Sequence, residues 1–412
     1  MPSFRAYLRS LNPRLPAAVW LLQAGGLINA FGIGAVLPFV IIYLHTIRGN
    51  SLTVAGLAAA ANALGALPAG ALGGACADRY GPKRLLAVAL VAQTLAICCF
   101  PLIRVGWHAI ALELALGAGA GMFWPSQSSL LTLLTPQERI HAAFAQQRAT
   151  MNLGIGLGGL VGGLIAVASR PWTFDVLFVI DGATFALFAA LLAWIPSPPR
   201  LVHQAEAGTY GAVVRDRPFL GVLVLNTAFI AAGIVPLVEF LPVYAKSVAG
   251  VSEQAIGLVF FANTMVIVLC QVPVAHALEG RRRMPALAVM GVIWAAAWLA
   301  VPLIVESLGP VTAALALSAA GVALGLGECM QGAVQAPLVA DLAVPGLLGR
   351  YMALSSASWQ LAFVIGPGIG GRILDRHRVG LWLLASATCA VAAVGALVLE
   401  SAIPEGVRRT RG

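Results

Sequence analysis

Carboxyl groups inside long apolar stretches are the residues of this chain best suited to chemistry. Glu328 stands near the centre of the apolar stretch 311–340, and Gln331 and Gln335 follow it on the same helical face. A charged carboxylate at the middle of a bilayer costs roughly 2.5–3.5 kcal/mol, so it persists by facing a cavity, by pairing or by binding a proton. Because desolvation favours the protonated form of a carboxyl group, Glu328 is a candidate proton or substrate site. A hydrogen-bonded structural acid is the alternative interpretation.

Three further acids lie within apolar stretches. Glu239 belongs to PLVEFLPVY, and the related segment LPFVIIY near the start of the chain has an apolar residue in its place. Glu113 and Asp181 lie in two other stretches, and a bond from Asp181 to a helix end or a hydroxyl is an equal alternative. The first stretch carries the amide of Asn29. The candidates for proton or substrate binding are Glu328, Glu239, Glu113, Asp181, Asn29 and Gln331.

Composition indicates which elements hold these residues. The chain has 412 residues, of which 60% are hydrophobic and 10% charged, and its mean hydropathy is +0.90. Soluble domains carry about 25% charged residues, whereas a membrane-spanning helix needs about 20 mostly apolar ones. Twelve such stretches are predicted, at 17–44, 52–76, 85–103, 109–134, 142–168, 174–195, 218–245, 255–278, 284–305, 311–340, 350–374 and 380–400. The prediction is an all-α, polytopic membrane protein with twelve transmembrane helices.

These stretches leave no room for a soluble catalytic domain. The sequence contains no G-x-x-x-x-G-K-[ST] phosphate loop, no H-E-x-x-H zinc motif and no G-x-S-x-G nucleophile elbow. We therefore expect a protein that is not an enzyme, with no catalytic residue, no metal and no cofactor. Without a nucleotide loop, the energy source for any uphill work is an ion gradient, with a proton gradient as the leading expectation.

The distribution of Lys and Arg predicts the orientation in the membrane. Basic residues concentrate in cytoplasmic loops, and a cytoplasmic N-terminus places 18 of the 25 basic residues on that side. The other seven are Arg48, Arg104, Arg170, Lys246, Arg372, Arg376 and Arg378. Both termini are therefore predicted to be cytoplasmic. The formal net charge of +9 follows from this bias beside anionic lipid, so the bilayer is an expected partner and nucleic acid is not.

A polar segment divides the chain into two halves. The interruption at 196–217 begins with prolines, carries mixed charge and follows the sixth stretch. The motif GGLVGG at 158–163 recurs as GPGIGG at 366–371, an offset of 208 residues. We predict an N-terminal six-helix bundle at 1–195, a cytoplasmic linker at 196–217 and a C-terminal six-helix bundle at 218–412. Six helices per half make the repeat parallel, about an axis normal to the membrane.

The glycine-rich segment MNLGIGLGGLVGGL at 151–164 has two interpretations. Gly154, Gly156 and Gly159 match the dinucleotide fingerprint G-x-G-x-x-G, which requires a strand before the glycines. These glycines instead lie within one apolar stretch, where small residues four apart allow two membrane helices to touch. The residues predicted to support such packing are Gly154, Gly158, Gly159, Gly162, Gly163, Gly366, Pro367, Gly370 and Gly371.

The segment GGACADRYGPKR at 73–84 joins the second and third stretches. It resembles the signature loop G-x-x-x-D-R-x-G-R-K-x of the major facilitator superfamily, and GECMQGAVQAPLVADLAVPGLLGRYM at 327–352 resembles the helix 10 to helix 11 region of bacterial members. The matching loop residues are Gly74, Asp78, Arg79, Gly81, Lys83 and Arg84. The resemblance implies two pseudo-symmetric six-helix bundles and a gating loop whose Asp78 pairs near Arg350. It also implies that the glycine segments seal the two halves together on the outer side.

The drug:proton antiporter branch of that superfamily is the branch that the sequence resembles. This resemblance implies a secondary active transporter that works by alternating access and exports small amphiphilic compounds in exchange for protons. A monomer in the plasma (inner) membrane is expected. In helix 5 of that branch a proline stands where this chain has Gly159, and an arginine is usual where this chain has Glu113. A metabolite exporter, or an importer of a small organic solute acting as a symporter or uniporter, is the alternative function.

Overall fold

Long helices account for nearly all of the structure. The computed structural model describes residues 15–136, 139–197, 210–344 and 347–410, and no sheet occurs among them. The long helices are α1 (Ala17–Ile47), α2 (Leu52–Tyr80), α3 (Pro82–Leu102), α4 (Gly106–Leu134), α5 (Ile140–Ile165), α6 (Trp172–Trp194), α7 (Arg217–Ala249), α8 (Glu253–Leu278), α9 (Arg283–Ser307), α10 (Pro310–Leu342), α11 (Leu348–Arg376) and α12 (Gly380–Ala402). A short helix, Tyr210–Val213, precedes α7.

The helices match the predicted membrane spans. Eleven of those in the described part of the chain are long and apolar enough to cross a membrane. The remaining one, α5, has 26 residues. At 1.5 Å per residue it is about 39 Å long, which exceeds the roughly 30 Å of a bilayer core. The expectation of an all-α, multi-pass membrane protein is confirmed, and each predicted stretch coincides with one helix.

The helices form two bundles related by the sequence repeat. In the first bundle α1 packs against α5 and α6, and α4 packs between α2 and α3. In the second bundle α7 packs against α11 and α12, and α10 packs between α8 and α9. The bundles meet along two seams, α2 against α11 and α5 against α8. Helices equivalent in the repeat therefore make equivalent contacts, as a parallel repeat requires.

Successive helices run in opposite directions, so the two described ends of the chain lie on one side. We call this the termini side and the opposite side the far side. On the termini side Gly81, at φ 90°, turns α2 into α3, and a bridge between Arg282 and Arg409 joins the C-terminal segment to the α8–α9 turn. On the far side Gly250, at φ 65°, ends α7. Both glycines adopt a left-handed backbone conformation that a side chain would strain.

The first helix of each half loses regular winding toward the far side. In α1 a 3-10 turn at Leu37–Phe39 precedes a π-helical segment at Tyr43–Ile47. In α7 π-helical segments occupy Ile230–Ile234 and Pro236–Phe240. Prolines remove helical hydrogen bonds, and π-helical turns occur frequently at functional sites. The far halves of α1 and α7 are therefore less regular than the other helices, and one of these segments contains a candidate acid, Glu239.

Candidate functional site

The glycines of α5 divide between two helix contacts. A Cβ added to Gly158 or Gly162 would lie 2.0 Å or 2.3 Å from a backbone oxygen of α1, so these glycines, with Gly154, let α5 touch α1 inside the first bundle. Gly163 instead faces α8, where its added Cβ would lie 3.0 Å from a backbone Cα. Gly159 also faces α8, with 3.5 Å to the nearest side chain. Adjacent residues point about 100° apart on a helix, so the row of Gly159 and Gly163 reaches the seam with α8. The row of Gly154, Gly158 and Gly162 does not reach that seam.

The second half repeats this division at the offset of 208 residues. Gly366 and Gly370 pack on α7 within the second bundle. Pro367 and Gly371 face α2, and the added Cβ of Gly371 would lie 2.3 Å from the carbonyl oxygen of Leu52. The residues of the expected seal that lie between the halves are Gly159, Gly163, Pro367 and Gly371. The other five are contacts within a bundle, because their row on the helix points toward α1 or α7.

Two carboxylates of the second half close the far side on backbone amides of the first half. Asp375, in the last turn of α11, accepts hydrogen bonds from the backbone N–H groups of Leu52 (2.9 Å) and Thr53 (2.6 Å), and from the Thr53 hydroxyl. Glu253, the first residue of α8, accepts a hydrogen bond of 2.7 Å from the backbone N–H of Ala168. The first amides of a helix have no partner within it, so Asp375 caps α2 across the seam. We call Asp375 and Glu253 the far-side latch.

Toward the termini side, the α2–α11 seam opens into a cavity of about 540 Å³. Residues of α2, α4 and α11 line it, so both halves contribute to its wall. Trp124, Ser128, Ser356 and Gln360 supply its aromatic and polar groups, and the remaining lining residues are alanine, leucine, glycine and proline. A mostly apolar cleft with a few polar groups is typical of a small-molecule site. Asp375 of the far-side latch lies at the opposite end of the same seam.

A smaller cavity of about 120 Å³ lies within the first half, among α1, α4 and α5. Its lining residues include Gln23, Asn29, Gln127 and Gln147, and Trp124 lines both cavities. Asn29 is buried, and its Oδ1 has no hydrogen-bond partner among the described residues. A buried amide oxygen of this kind is an acceptor to which a water molecule or a ligand can donate.

Glu328 lies where α10 meets α8 and approaches α5. Its Oε1 accepts a hydrogen bond of 3.1 Å from Asn263 Nδ2 of α8, and the same amide donates to the carbonyl oxygen of Gly321 at 3.0 Å. Arg148 of α5, in the other half, attracts Glu328 electrostatically. The Arg148 guanidinium lies against Gly332 of α10, whose added Cβ would be 3.0 Å from Nη2. Glu328 and Arg148 therefore place groups of opposite charge on the two sides of the seam.

Glu113 and Glu239 also belong to different halves. Asn62 Nδ2 of α2 donates a hydrogen bond of 2.8 Å to Glu113 Oε2 of α4. Glu239 is half-buried in the π-helical segment Pro236–Phe240 of α7, and it interacts electrostatically with Glu113. Like charges disfavour simultaneous ionisation. A proton or a cationic group bound near either acid would relieve the repulsion between the halves at this point.

Asp181 lies apart from the other acids. It is buried on α6 against α1, where a Cβ added to Gly32 would lie 2.6 Å from Asp181 Oδ1. Its Oδ1 has no hydrogen-bond partner in the described part of the chain, and Asp181 lines neither cavity described above. The structure therefore places Asp181 in the interior of the first bundle, separate from Glu113, Glu239 and Glu328.

Gln331 takes part in a hydrogen-bond network within the second half. Its Nε2 donates to Asn226 Oδ1 of α7 at 3.0 Å, and Asn226 Nδ2 donates to Ser358 Oγ of α11 at 2.7 Å. The Ser358 hydroxyl in turn donates to the carbonyl oxygen of Ser355 at 2.6 Å. This network joins α7, α10 and α11 through buried polar groups, so it fixes their packing relative to one another.

The predicted gating segment at 73–84 forms the last turns of α2, the turn at Gly81 and the start of α3, and its side chains are described only in part. Lys83 Nζ donates a hydrogen bond of 2.6 Å to the carbonyl oxygen of Ile195, which joins the start of α3 to the end of α6 in the same half. Arg79 lies over the ring of the neighbouring tyrosine at 5.3 Å. The surroundings of Gly74 and the side chain of Asp78 lie outside the described part of the structure. The pairing expected between Asp78 and the start of α11 stays a prediction.

Four residues of the site were missed by sequence reasoning: Asn62, Asn263, Asp375 and Glu253. A signal for the two asparagines was present, since G-L-x-x-x-A-N occurs at 56–62 and again at 257–263, an offset of 201 residues. Asp375 also had a signal in the sequence, because a carboxylate near a helix C-terminus interacts unfavourably with the dipole of its own helix. Such an acid is better placed to serve the start of another helix.

The fold and the site define a class of protein. Two six-helix bundles span a membrane, meet along two seams, and enclose a cavity to which both contribute. No group of three or more His, Cys, Asp or Glu residues in the described ranges is arranged to hold a metal ion. This arrangement is that of a membrane transporter for a small molecule. The family model of the Major Facilitator Superfamily matches residues 24–319 and 240–411, and the chain belongs to that superfamily.

Relatives and solved structures are similar over most of the chain. The uncharacterized MFS-type transporter YqjV of Bacillus subtilis (strain 168) is 23% identical over 367 residues, 88% of this chain and 87% of the relative. The multidrug resistance protein MdtH of Aeromonas salmonicida (strain A449) is 24% identical over 364 residues, 86% of this chain and 87% of the relative. A crystal structure of the nucleoside transporter NupG has a TM-score of 0.78 at 12% identity, covering 93% of this chain and 99% of that chain.

Proposed function

We propose that this transporter exports small amphiphilic compounds, lipophilic cations among them, from the cytoplasm in exchange for protons. In this proposal the termini side is the cytoplasmic side of the plasma (inner) membrane, in accord with the distribution of Lys and Arg. The protein works as a monomer, without a cofactor, and the proton gradient is its energy source. Proton binding and cargo binding then favour opposite orientations of the two bundles, as alternating access requires.

The observation that carries the proposal is the position of Glu328 at the seam, near the Arg148 guanidinium of the other half. As a carboxylate, Glu328 is attracted by Arg148 across the seam and accepts a hydrogen bond from Asn263. Binding of a proton removes the charge of Glu328 and with it the attraction to Arg148. The protonation state of one residue therefore changes the energy of holding the halves together at this depth, which is the coupling that a proton-driven transporter needs.

The cavity supports an amphiphilic cargo. Its wall is mostly alanine, leucine, glycine and proline, with Trp124 as an aromatic surface and Ser128, Ser356 and Gln360 as hydrogen-bonding groups. An aromatic ring attracts cations through its electron-rich face, and α4 and α7 carry the carboxyl groups of Glu113 and Glu239 in the membrane span. MdtH, a relative of similar length, is named as a multidrug resistance protein.

The test uses purified protein in proteoliposomes with ethidium, a fluorescent lipophilic cation, as the probe. An acidic vesicle interior is expected to drive ethidium inward through exchange with protons. Glu328→Gln is expected to lose this driven uptake while keeping exchange of ethidium down its own gradient. Glu306→Gln, which changes an exposed acid at the end of α9, is the matched control and is expected to behave as the wild type. Wild-type protein that ignores the imposed pH gradient, or coupled uptake that survives Glu328→Gln, contradicts the proposal.

A second candidate function is transport of a polar organic solute as a symporter or uniporter. The observation that favours it is the buried amide oxygen of Asn29, which lacks a described partner beside the smaller cavity. Amides of this kind recognise hydroxyl or amino groups by hydrogen bonding. Counterflow of radiolabelled nucleosides and sugars in the same vesicles, with no ethidium movement, is the result that would favour this function over the first.

A further inference from the structure

The second and eighth helices carry the same short pattern at the same register. Asn62 and Asn263 are separated by 201 residues, and each is the eleventh residue of its helix. Each helix is preceded by a serine, Ser51 or Ser252, whose hydroxyl accepts a hydrogen bond from the backbone N–H three residues later. The two asparagines are therefore equivalent positions of the repeat in sequence and in local structure.

Both asparagines pack on equivalent glycines of the neighbouring helix. The added Cβ of Gly117 in α4 would lie 1.8 Å from the Asn62 carbonyl oxygen, and that of Gly325 in α10 would lie 2.8 Å from the Asn263 carbonyl oxygen. These glycines are 208 residues apart, the offset that also relates GGLVGG to GPGIGG. Each amide side chain is thus presented to its neighbouring helix from the same place.

The carboxyl groups that accept from these amides are not equivalent. At the offset of 208 residues Glu113 corresponds to Gly321, and Glu328 corresponds to Ala120. Asn62 donates to the Glu113 side chain, whereas Asn263 donates to the carbonyl oxygen of Gly321 and also to the Glu328 side chain. One repeat unit holds its acid four residues before the glycine, and the other holds its acid three residues after it.

This difference separates the two acids along the membrane normal. Seven helical residues correspond to a rise of about 10 Å, and both α4 and α10 run from the far side to the termini side. Glu113 is therefore nearer the far side, beside Glu239 of α7, and Glu328 is nearer the termini side. The charged and titratable groups close to Glu328 are Arg148 and the neighbouring Cys329.

We propose that Asn62 and Asn263 are positioning residues that hold two proton-binding carboxyl groups at two depths, Glu113 for protons from the far side and Glu328 for release to the termini side. The inference rests on the proposed proton coupling and adds the route by which a proton passes from the far side to the termini side. At each site a proton adds to one carboxylate oxygen and later leaves it, so no further reactant is needed. The amide donates to the carboxylate from a fixed direction, so each asparagine acts on its own acid and not on the other.

The test follows carboxyl protonation directly and needs no transported compound. Infrared spectra of the purified protein over a pH series report the carbonyl stretch of protonated carboxyl groups, and Glu113→Gln and Glu328→Gln assign the two contributions. Asn263→Leu is expected to move the midpoint assigned to Glu328 by about one pH unit, the tenfold change of one lost charge-assisted hydrogen bond. It is expected to leave the Glu113 midpoint in place, and Asn62→Leu is expected to do the reverse.

The controls separate positioning from general damage. Gln93→Leu changes another buried amide that packs on α4 at Gly119, and it is expected to leave both midpoints unchanged. If a leucine variant does not yield folded protein, Asn62→Ser or Asn263→Ser removes the same bond by shortening the side chain. Unchanged midpoints, or equal movement of both by either variant, overturn the inference.

The outcome is independent of the test of the proposed function. If Glu328→Gln abolishes proton-driven ethidium uptake while Asn263→Leu leaves the Glu328 midpoint in place, the positioning role fails and the proposed function stands. If Glu328→Gln keeps driven uptake while each asparagine variant moves only its own midpoint, the proposed function fails and the positioning role stands.

Discussion

The far-side latch predicts that removing the Asp375 carboxylate shifts the two bundles toward a far-side-open arrangement. Asp375 satisfies the first two amides of α2, at Leu52 and Thr53. The third amide, of Val54, is taken by the Ser51 hydroxyl at 3.2 Å, and the fourth bonds to the Ser51 carbonyl oxygen. The Asp375 carboxylate is thus the part of the α2 cap that comes from the other half.

The size of the effect follows from helix capping. Loss of a capping side chain costs about 0.5–2 kcal/mol, and a negative charge at a helix N-terminus contributes about 0.3–1 kcal/mol. For Asp375→Ala we expect the state with a closed far side to lose about 1.5 kcal/mol of stability. The state with an open far side loses none, since these bonds are already broken when the halves separate there. A difference of that size changes the ratio of the two states by about tenfold. Asp375→Asn keeps one acceptor oxygen and is expected to show a smaller change.

The assay is pulsed electron resonance between two spin labels on the far side, at the exposed residues Thr46 and His377, in a background without the six native cysteines. The wild type is expected to show mainly the short distance, and Asp375→Ala is expected to raise the long-distance population about tenfold. Asp175→Asn is the matched control, because Asp175 lies in the first turn of α6 on the same side and interacts with Tyr43 of its own half. Identical distance distributions for Asp375→Ala and the wild type would refute the reasoning.

Three further predictions concern the other contacts between helices. Glu253→Gln is expected to produce the same shift at the α5–α8 seam, about fivefold for a loss near 1 kcal/mol, measured between labels at the exposed residues Ser169 and Gln254. Gly158→Leu is expected to reduce the yield of monodisperse protein in size-exclusion chromatography, because its added Cβ would lie 2.0 Å from a backbone oxygen of α1; a normal elution profile would contradict this. Gly159→Pro is expected to fold with a thermal midpoint within a few degrees of the wild type, since 3.5 Å separates the added Cβ of Gly159 from the nearest atom. The same variant is expected to change the rate of ethidium exchange. An unchanged rate would show that α5 does not bend at this position during transport.

The sequence predicted the helices more reliably than their contacts. Bilayer thickness and the cost of buried charge limit where a spanning helix begins and ends, so the twelve stretches could be located from composition alone. The glycine row of α5 was also visible. Which helix each glycine touches depends on a rotation of about 100° between neighbours, and only the structure shows that Gly158 faces α1 while Gly163 faces α8.

The site was predictable where a residue is costly in its own surroundings. Glu113, Glu239 and Glu328 stand out because a carboxyl group within an apolar stretch needs a reason to be there. Asn62 and Asn263 do not, since an amide in a membrane helix is common enough to pass unnoticed without the comparison of the two halves. The latch was harder still, because its acceptor is an acid at a helix end and its donors are backbone amides, which every sequence supplies.

The free energy needed to open the far-side latch is comparable to the free energy that one proton gains from the membrane potential. The proton gradient could therefore drive the opening of the latch. The two members of the far-side latch contribute about 1–1.5 kcal/mol each by the capping and hydrogen-bond values above, so opening the far side costs about 2–3 kcal/mol in these bonds. One elementary charge moved through 100 mV gains about 2.3 kcal/mol. A proton that crosses the membrane through 100 mV would therefore supply about the free energy that opening the latch costs, but not enough to break several more such contacts. This limit is a reason for the far side to be held by two short acid-to-amide contacts at its edges. The glycines between these contacts bring the helices together without further polar bonds that would also have to break.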